Sequence, residues 1–259
     1  MYKLFLTFLC LFSFALYANS AVTGGVQKNE QLENYNQIID AKTGKGIPHA
    51  KVSAPALKFK TITDNEGKFN LKAKVNGPTI LSVQKDGYKP FSMTISENGR
   101  KPLIIGIEKT QAGSISIETD MIHLGDNSYS MNSANAYDFS ARSSGAFYTK
   151  EFKIPKLSAE QNAFLSIGSV IGIDTITAVR AGQSKVRTTY ASAPEIYCNG
   201  NKICELNING DNQEIEIPKG LLKQGQRNTV TIKSGKNLFQ TSYIDYDDIE
   251  FTNLSIEIR

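Results

Sequence analysis

The sequence has no tryptophan, two histidines and three cysteines among its 259 residues, and almost no amphipathic helical periodicity. Each scarcity excludes something. A Ser-His-Asp hydrolase needs a histidine base, and neither His49 nor His123 lies near a G-x-S-x-G elbow. Asp245–Glu250 and Glu118–Asp120 are carboxylate pairs of the kind that cleave glycosidic bonds, but such sites also need a deep aromatic cleft, which a chain without Trp is poorly equipped to build. Lys45 in KTGKG lacks the spacing of a phosphate-binding loop. With so few general acids and bases, the chain is expected not to be an enzyme.

The first twenty residues read as an export signal. Lys3 precedes the apolar run LFLTFLCLFSFALYA, and Ala18-Asn19-Ser20 supplies small residues for cleavage. The run is about fifteen residues, short of the roughly 20 that span a bilayer. A signal peptide over 1–20 is therefore expected, with no transmembrane span after its removal and a periplasmic, secreted or cell-surface destination. Cys10 falls within the discarded segment. That leaves Cys198 and Cys204 in YCNGNKICEL, around the turn signal Asn199-Gly200. Export permits oxidation, so a disulfide clamping this hairpin is expected, contributing about 2 kcal/mol because its loop is short. No further Cys pair or nearby His completes a zinc site.

Charge is unevenly spread. Residues 31–109 carry 13 Lys+Arg and 7 Asp+Glu, a net of +6, and residues 110–259 carry 14 and 17, a net of −3. The break coincides with the polar stretch KTQAGS. We therefore expect a linker at 21–34, one domain over 35–109 and a second over 110–259.

Short alternating or β-branched runs fill both. NQIID, AKVSA, FKTIT, KFNLKAKV, TILSVQK, PFSMTI and PLIIGIE read as seven strands separated by Gly- and Asn-containing turns, the pattern of a β-sandwich. In KFNLKAKV, Phe69, Leu71, Ala73 and Val75 point one way and Lys68, Asn70, Lys72 and Lys74 the other. The lysines form a basic face, either for an anionic partner or as protection against edge pairing. No aromatic residues interleave with them, which argues against nucleic acid. GSISIET, GAFYTKEFKI, AFLSIGSV, DTITAVRA, PEIYCNG, KICELNI, QEIEIP, NTVTIKSG and DIEFTNLSIEI read as strands of the second domain. The fold class expected is all-β, with two β-sandwich domains.

Residues 35–109 resemble the carboxypeptidase regulatory-like domain, a transthyretin-like sandwich. The resemblance rests on Ile39-Asp40-Ala41-Lys42-Thr43-Gly44, Ile47-Pro48, Ala50-Lys51-Val52, Thr63-Asp64-Asn65-Glu66-Gly67-Lys68-Phe69 and Gly87-Tyr88. His49 stands where that family usually has Gly. The resemblance implies fold and not peptidase activity, because the chain lacks the His-x-x-Glu pair and distant His of the zinc peptidase body. In IPKGLLKQGQRNTVTI, the Leu221-Leu222 corner, Gly225 and Asn228 resemble galactose-binding-like jelly rolls. Ile122-His123-Leu124-Gly125-Asp126 and Asp247-Asp248-Ile249-Glu250-Phe251 extend that likeness over roughly 115–259.

Asp245, Asp247, Asp248 and Glu250 crowd the start of the last strand, where Asp is unfavourable. In such a jelly roll the first and last strands of the domain run together, which would bring Asp126 beside Asp247 or Asp248. Two readings stand for these acids. They are strand-end caps, or they hold a structural calcium ion through hard oxygen ligands, with Asp126, Asp248 and Asp247 as its candidates. His123 is read as a partly buried neutral histidine satisfied by backbone groups. For glycan contacts, the loop NSYSMNSANAYDFSARSSGAFY offers Tyr137 and Arg142 as exposed residues. The expected partner is a glycan or surface polymer bound by the second domain; the alternative is a structural or adhesive role with an envelope protein as partner.

Overall fold

The computed structural model of the chain describes residues 35–96, 102–125, 141–184, 191–236 and 248–259. The expected all-β, two-sandwich class is the one found. In the first sandwich the strands are β1 (Asn36–Asp40), β2 (Lys51–Ala54), β3 (Phe59–Ile62), β4 (Lys68–Phe69), β5 (Thr79–Gln84), β6 (Phe91–Ile95) and β7 (Ile104–Ile107). They form two sheets, ordered β4–β1–β7 and β3–β2–β5–β6, with β1 and β7 parallel and the other pairs antiparallel. Ile38, Val52, Phe69, Leu81, Val83 and Ile105 fill the core between them.

Turn chemistry explains several of the residues that carry the resemblance. Asp40 Oδ1 accepts from the Lys42 and Thr43 amides and the Thr43 hydroxyl, while Tyr88 Oη donates to Asp40 Oδ2 at 3.0 Å. Gly67 has φ +79°, and a Cβ there would lie 2.4 Å from the Ile38 carbonyl oxygen, so only glycine fits. His49 sits at φ 54°, the left-handed region that explains the glycine usual at this place. KFNLKAKV keeps its alternation, but only Lys68 and Phe69 pair as a strand. Leu71 and Val75 still pack on the core while Lys72 and Lys74 are exposed. Alternating burial needs an extended backbone, not a hydrogen-bonded neighbour. Lys68 leaves the basic face to pair with Glu66 and stand 4.0 Å from the Tyr35 ring centre.

The second sandwich holds β8 (Ser114–Glu118), β9 (Ile122–Leu124), β10 (Phe147–Lys153), β11 (Ala163–Ile171), β12 (Glu195–Cys198), β13 (Asn201–Glu205), β14 (Gly210–Ile217), β15 (Arg227–Lys233) and β16 (Ile249–Ile258). One sheet runs β14–β11–β16–β8, with β9 also on β16; the other runs β10–β15–β12–β13. Leu165, Ile167, Val230, Ile232, Phe251 and Leu254 lie in the core between them. Three expectations need correction. DTITAVRA is not a strand: Ile176–Arg180 form the helix α1, capped by Thr175, whose hydroxyl accepts from the Ala178 amide. Its β-branched residues imitate strand composition, and the cap overrides them. Ile122–Leu124, absent from the expected strands, is the strand β9. The expected disulfide is not formed. Asn199 (φ 49°) and Gly200 (φ 81°) make a two-residue turn that sets Cys198 opposite Asn201. After a bulge, Cys204 faces Ile196, so the two thiols are out of register and free. Burial pushes both thiol pKa values up.

β16 shifts phase midway. Ile249 and Phe251 face the core, then Leu254 and Ile256, because Asn253 sits at φ 56° and takes up the odd residue. Residues Asn34–Arg259 form one compact unit, and this shift lies where the two sandwiches meet. A Cβ on Gly168 would come 2.5 Å from Ser92 Oγ and 2.7 Å from the Asn253 Cβ. Around it, Ser169 Oγ donates to Ser92 Oγ, and the Thr94 amide and hydroxyl donate to Asp211. Gln84 Nε2 donates to the Thr119 carbonyl, Lys89 pairs with Glu257 at 2.9 Å, and Ile80 packs on Ile171. β5 is accordingly buried on both faces. Among the described residues, no helix is long and apolar enough to cross a membrane.

Candidate functional site

β9 lies antiparallel to β16 with His123 opposite Glu250 and Leu124 opposite Ile249. This register puts Gly125 beside Asp248 and gathers three ionisable side chains out of water. His123 Nε2 is 3.1 Å from Asp248 Oδ1, and Nδ1 is 3.4 Å from Glu250 Oε1. The imidazole and the Glu250 side chain are fully buried, and Asp248 nearly so. Burial pulls the imidazolium pKa down, but its hydrogen bonds to the two carboxylates and their charges outweigh burial and raise the pKa to about 9. Both ring nitrogens therefore carry protons at neutral pH and donate. This corrects the reading of His123 as a neutral residue satisfied by backbone. The signal lay in the sequence only as two distant segments, IHLG and DDIEF, whose pairing no local pattern reveals.

Gly125 makes the arrangement possible. Its φ is +142°, and a Cβ there would come 2.0 Å from Asp248 Oδ1. Around it the chain is tied down: the Gly125 amide donates to the Gly145 carbonyl, the Ser144 amide to the His123 carbonyl, and Ser143 Oγ to the Gly125 carbonyl. Nearby, the Ser234 amide donates to the Ala146 carbonyl and the Lys236 amide to Ser192 Oγ. The described residues on either side of 126–140 thus meet beside the His123 cluster, and Ser234, through Ala146, brings the start of 237–247 and Ser192 to the same end of the sandwich. Arg142 is exposed among them. Asp126, Asp247 and Tyr137 lie outside the described residues. Among the described residues, no three His, Cys, Asp or Glu side chains are placed to hold a metal ion; Asp248 is instead engaged by His123.

Two further clusters have structural chemistry. Glu118 Oε2 accepts from Tyr148 Oη at 2.6 Å and Lys150 at 2.9 Å, and its other oxygen accepts from the Thr119 and Asp120 amides. Burial alone would raise its pKa, but these donors hold it down at about 2. Glu118 is thus an anion at neutral pH, just as His123 is a cation, which suits ion pairing rather than proton exchange near neutrality. At the Leu221-Leu222 corner, buried Asn228 accepts from Asn199 Nδ2 and the Lys223 amide, and donates to the Lys223 and Gln226 carbonyls. That network gives the asparagine of the corner motif its physical task, closing the turn before β15.

With this geometry in place, comparison with known families decides the first sandwich. Residues 37–117 match the family model described as the CarboxypepD_reg-like domain. The chain carries a CarboxypepD_reg-like domain. The matched region of this CarboxypepD_reg-like domain ends inside β8, which pairs with β16 of the second sandwich. Solved structures show distant similarity to parts of glycosidase chains. A putative beta-galactosidase from Bacteroides fragilis matches at 14% identity over 55% of this chain and 23% of that one, with TM-score 0.28. A beta-D-glucuronidase from Dictyoglomus thermophilum matches at 16% over 56% and 29%, with TM-score 0.29. BuGH86 in complex with neoagarooctaose matches at 12% over 81% and 27%, with TM-score 0.31. The chain thus spans less than a third of each. No curated protein matches it.

Proposed function

We propose that this is an exported, non-catalytic binding protein of the cell envelope or extracellular space, whose second sandwich binds a glycan or surface polymer. The observation that supports it is the meeting of Gly125, Arg142–Gly145 and Asp248 beside the buried His123 cluster, with Ser192 and Lys236 at the same end of that sandwich. Binding loops raised on a rigid scaffold are the usual form of a recognition site. A structural calcium ion belongs to this reading: Asp248 has one oxygen engaged by His123, which leaves Asp126 and Asp247 as the further acids for the ion. A glycan array on the purified protein, with and without chelator, is the test. Glycan signal lost on Arg142→Ala supports the reading. No signal, with specific capture of an envelope protein, replaces it with the second reading, an adhesive or structural accessory. Ile62 and Ile104, 62% and 67% exposed on the CarboxypepD_reg-like domain, favour that alternative as an apolar contact surface.

A further inference from the structure

The solvent face of the sheet β10–β15–β12–β13 carries an ordered grid of side chains. The register sets Phe147, Lys233 and Glu195 in one row across three strands, and Thr149, Thr231 and Tyr197 in the next. By strand spacing this grid measures roughly 10 by 7 Å. Its parts are held in place. Glu195 is buried, accepting from Tyr197 Oη at 2.7 Å and from Lys202 Nζ at 3.1 Å. The Thr149 and Thr231 hydroxyls are hydrogen-bonded to each other at 2.9 Å. Lys233 lies 4.5 Å from the centre of the Tyr197 ring, an orientation that a cation–π contact favours. Phe147 is 56% exposed at the end of the row.

The charges of this face do not cancel evenly. Glu195 and Glu205 are engaged by Lys202 and Lys236, and Glu151 by Arg227. Lys233 has no ion pair among the described residues, although it stands beside Phe147, the most exposed aromatic ring of the second sandwich among those residues. Apolar ring, paired hydroxyls and the Lys233 ammonium, whose charge also helps hold the buried Glu195 as an anion, are complementary to a pyranose that presents a carbon–hydrogen face, hydroxyls and a carboxylate.

We propose that this sheet face binds an acidic polysaccharide of carboxylated sugar units, with one ring stacked on Phe147 and its carboxylate paired with Lys233. The inference rests on the glycan-binding reading above and moves its site from the Arg142 end to the sheet face. Phe147 is exposed and Lys233 half-buried, so Phe147→Ala and Lys233→Gln are expected to fold, with Lys233→Gln losing at most a few degrees in Tm through Tyr197 and Glu195.

Polygalacturonate and its fully methyl-esterified form, titrated against the purified protein by calorimetry, provide the test. Phe147→Ala is expected to weaken binding of both polymers about tenfold, as loss of a stacking surface should. Lys233→Gln is expected to weaken only the acidic polymer, by roughly five- to tenfold, and to abolish most of its salt dependence. Undiminished glycan binding by both variants, with loss in Arg142→Ala, overturns this proposal and keeps the broader reading. A protein that binds no polysaccharide overturns both.

Discussion

Replacing His123 with glutamine removes the cation that stands between Asp248 and Glu250 and leaves two carboxylates buried side by side. Breaking a buried charge cluster from one side typically costs about 3–5 kcal/mol. The raised pKa gives an independent figure. An imidazole that titrates at 6.5 when exposed and at about 9 when folded contributes roughly 3 kcal/mol. Because the folded value is the higher one, that stability is fully present below about pH 6.5 and is lost as pH rises through about 9. For a unit of this size the loss corresponds to roughly 6–12 °C in Tm. Denaturant unfolding of the unsubstituted protein and of His123→Gln, followed from about pH 6 to about pH 10, should show a gap near 3 kcal/mol that narrows towards the alkaline end. Gly125→Ala should produce much of the same loss by displacing the Asp248 carboxylate, and the double variant should cost far less than the sum. A gap that stays constant across this range, or that is absent at neutral pH, would refute the charged-staple argument.

Other predictions concern the scaffold. Gly168→Val drives side-chain carbons into Ser92 and Asn253, so differential scanning calorimetry should resolve two transitions in place of one as the sandwiches part. Asn228→Ala leaves the Lys223 amide without its acceptor and takes one of two acceptors from Asn199 Nδ2, which should cost about 1–3 kcal/mol in urea unfolding. His49→Gly relieves a left-handed backbone at φ 54° and should stabilise by about 0.5–1 kcal/mol, net of the added freedom of the unfolded chain; a drop in Tm would show that the imidazole makes a contact worth more than the strain.

Strand positions were legible wherever residues alternate, because alternation is a property of the extended backbone itself. The seven runs of the CarboxypepD_reg-like domain and most of those in the second sandwich needed no knowledge of their partners. Misreadings arose where a local signal competed with another. The β-branched run at 176–180 looked like a strand, yet Thr175 caps it as a helix. Cys198 and Cys204 looked poised to bond, yet the turn between them sets a register in which they do not meet.

By itself, the sequence determined the β class and the places of its turns, since alternation and turn residues act within a few positions of one another. The charge state of His123, the burial of both faces of β5 and the grid around Lys233 were decided only by the tertiary structure. Each joins strands separated by tens to more than a hundred residues, and the electrostatics of a group follows from what surrounds it after folding rather than from what precedes it in the chain.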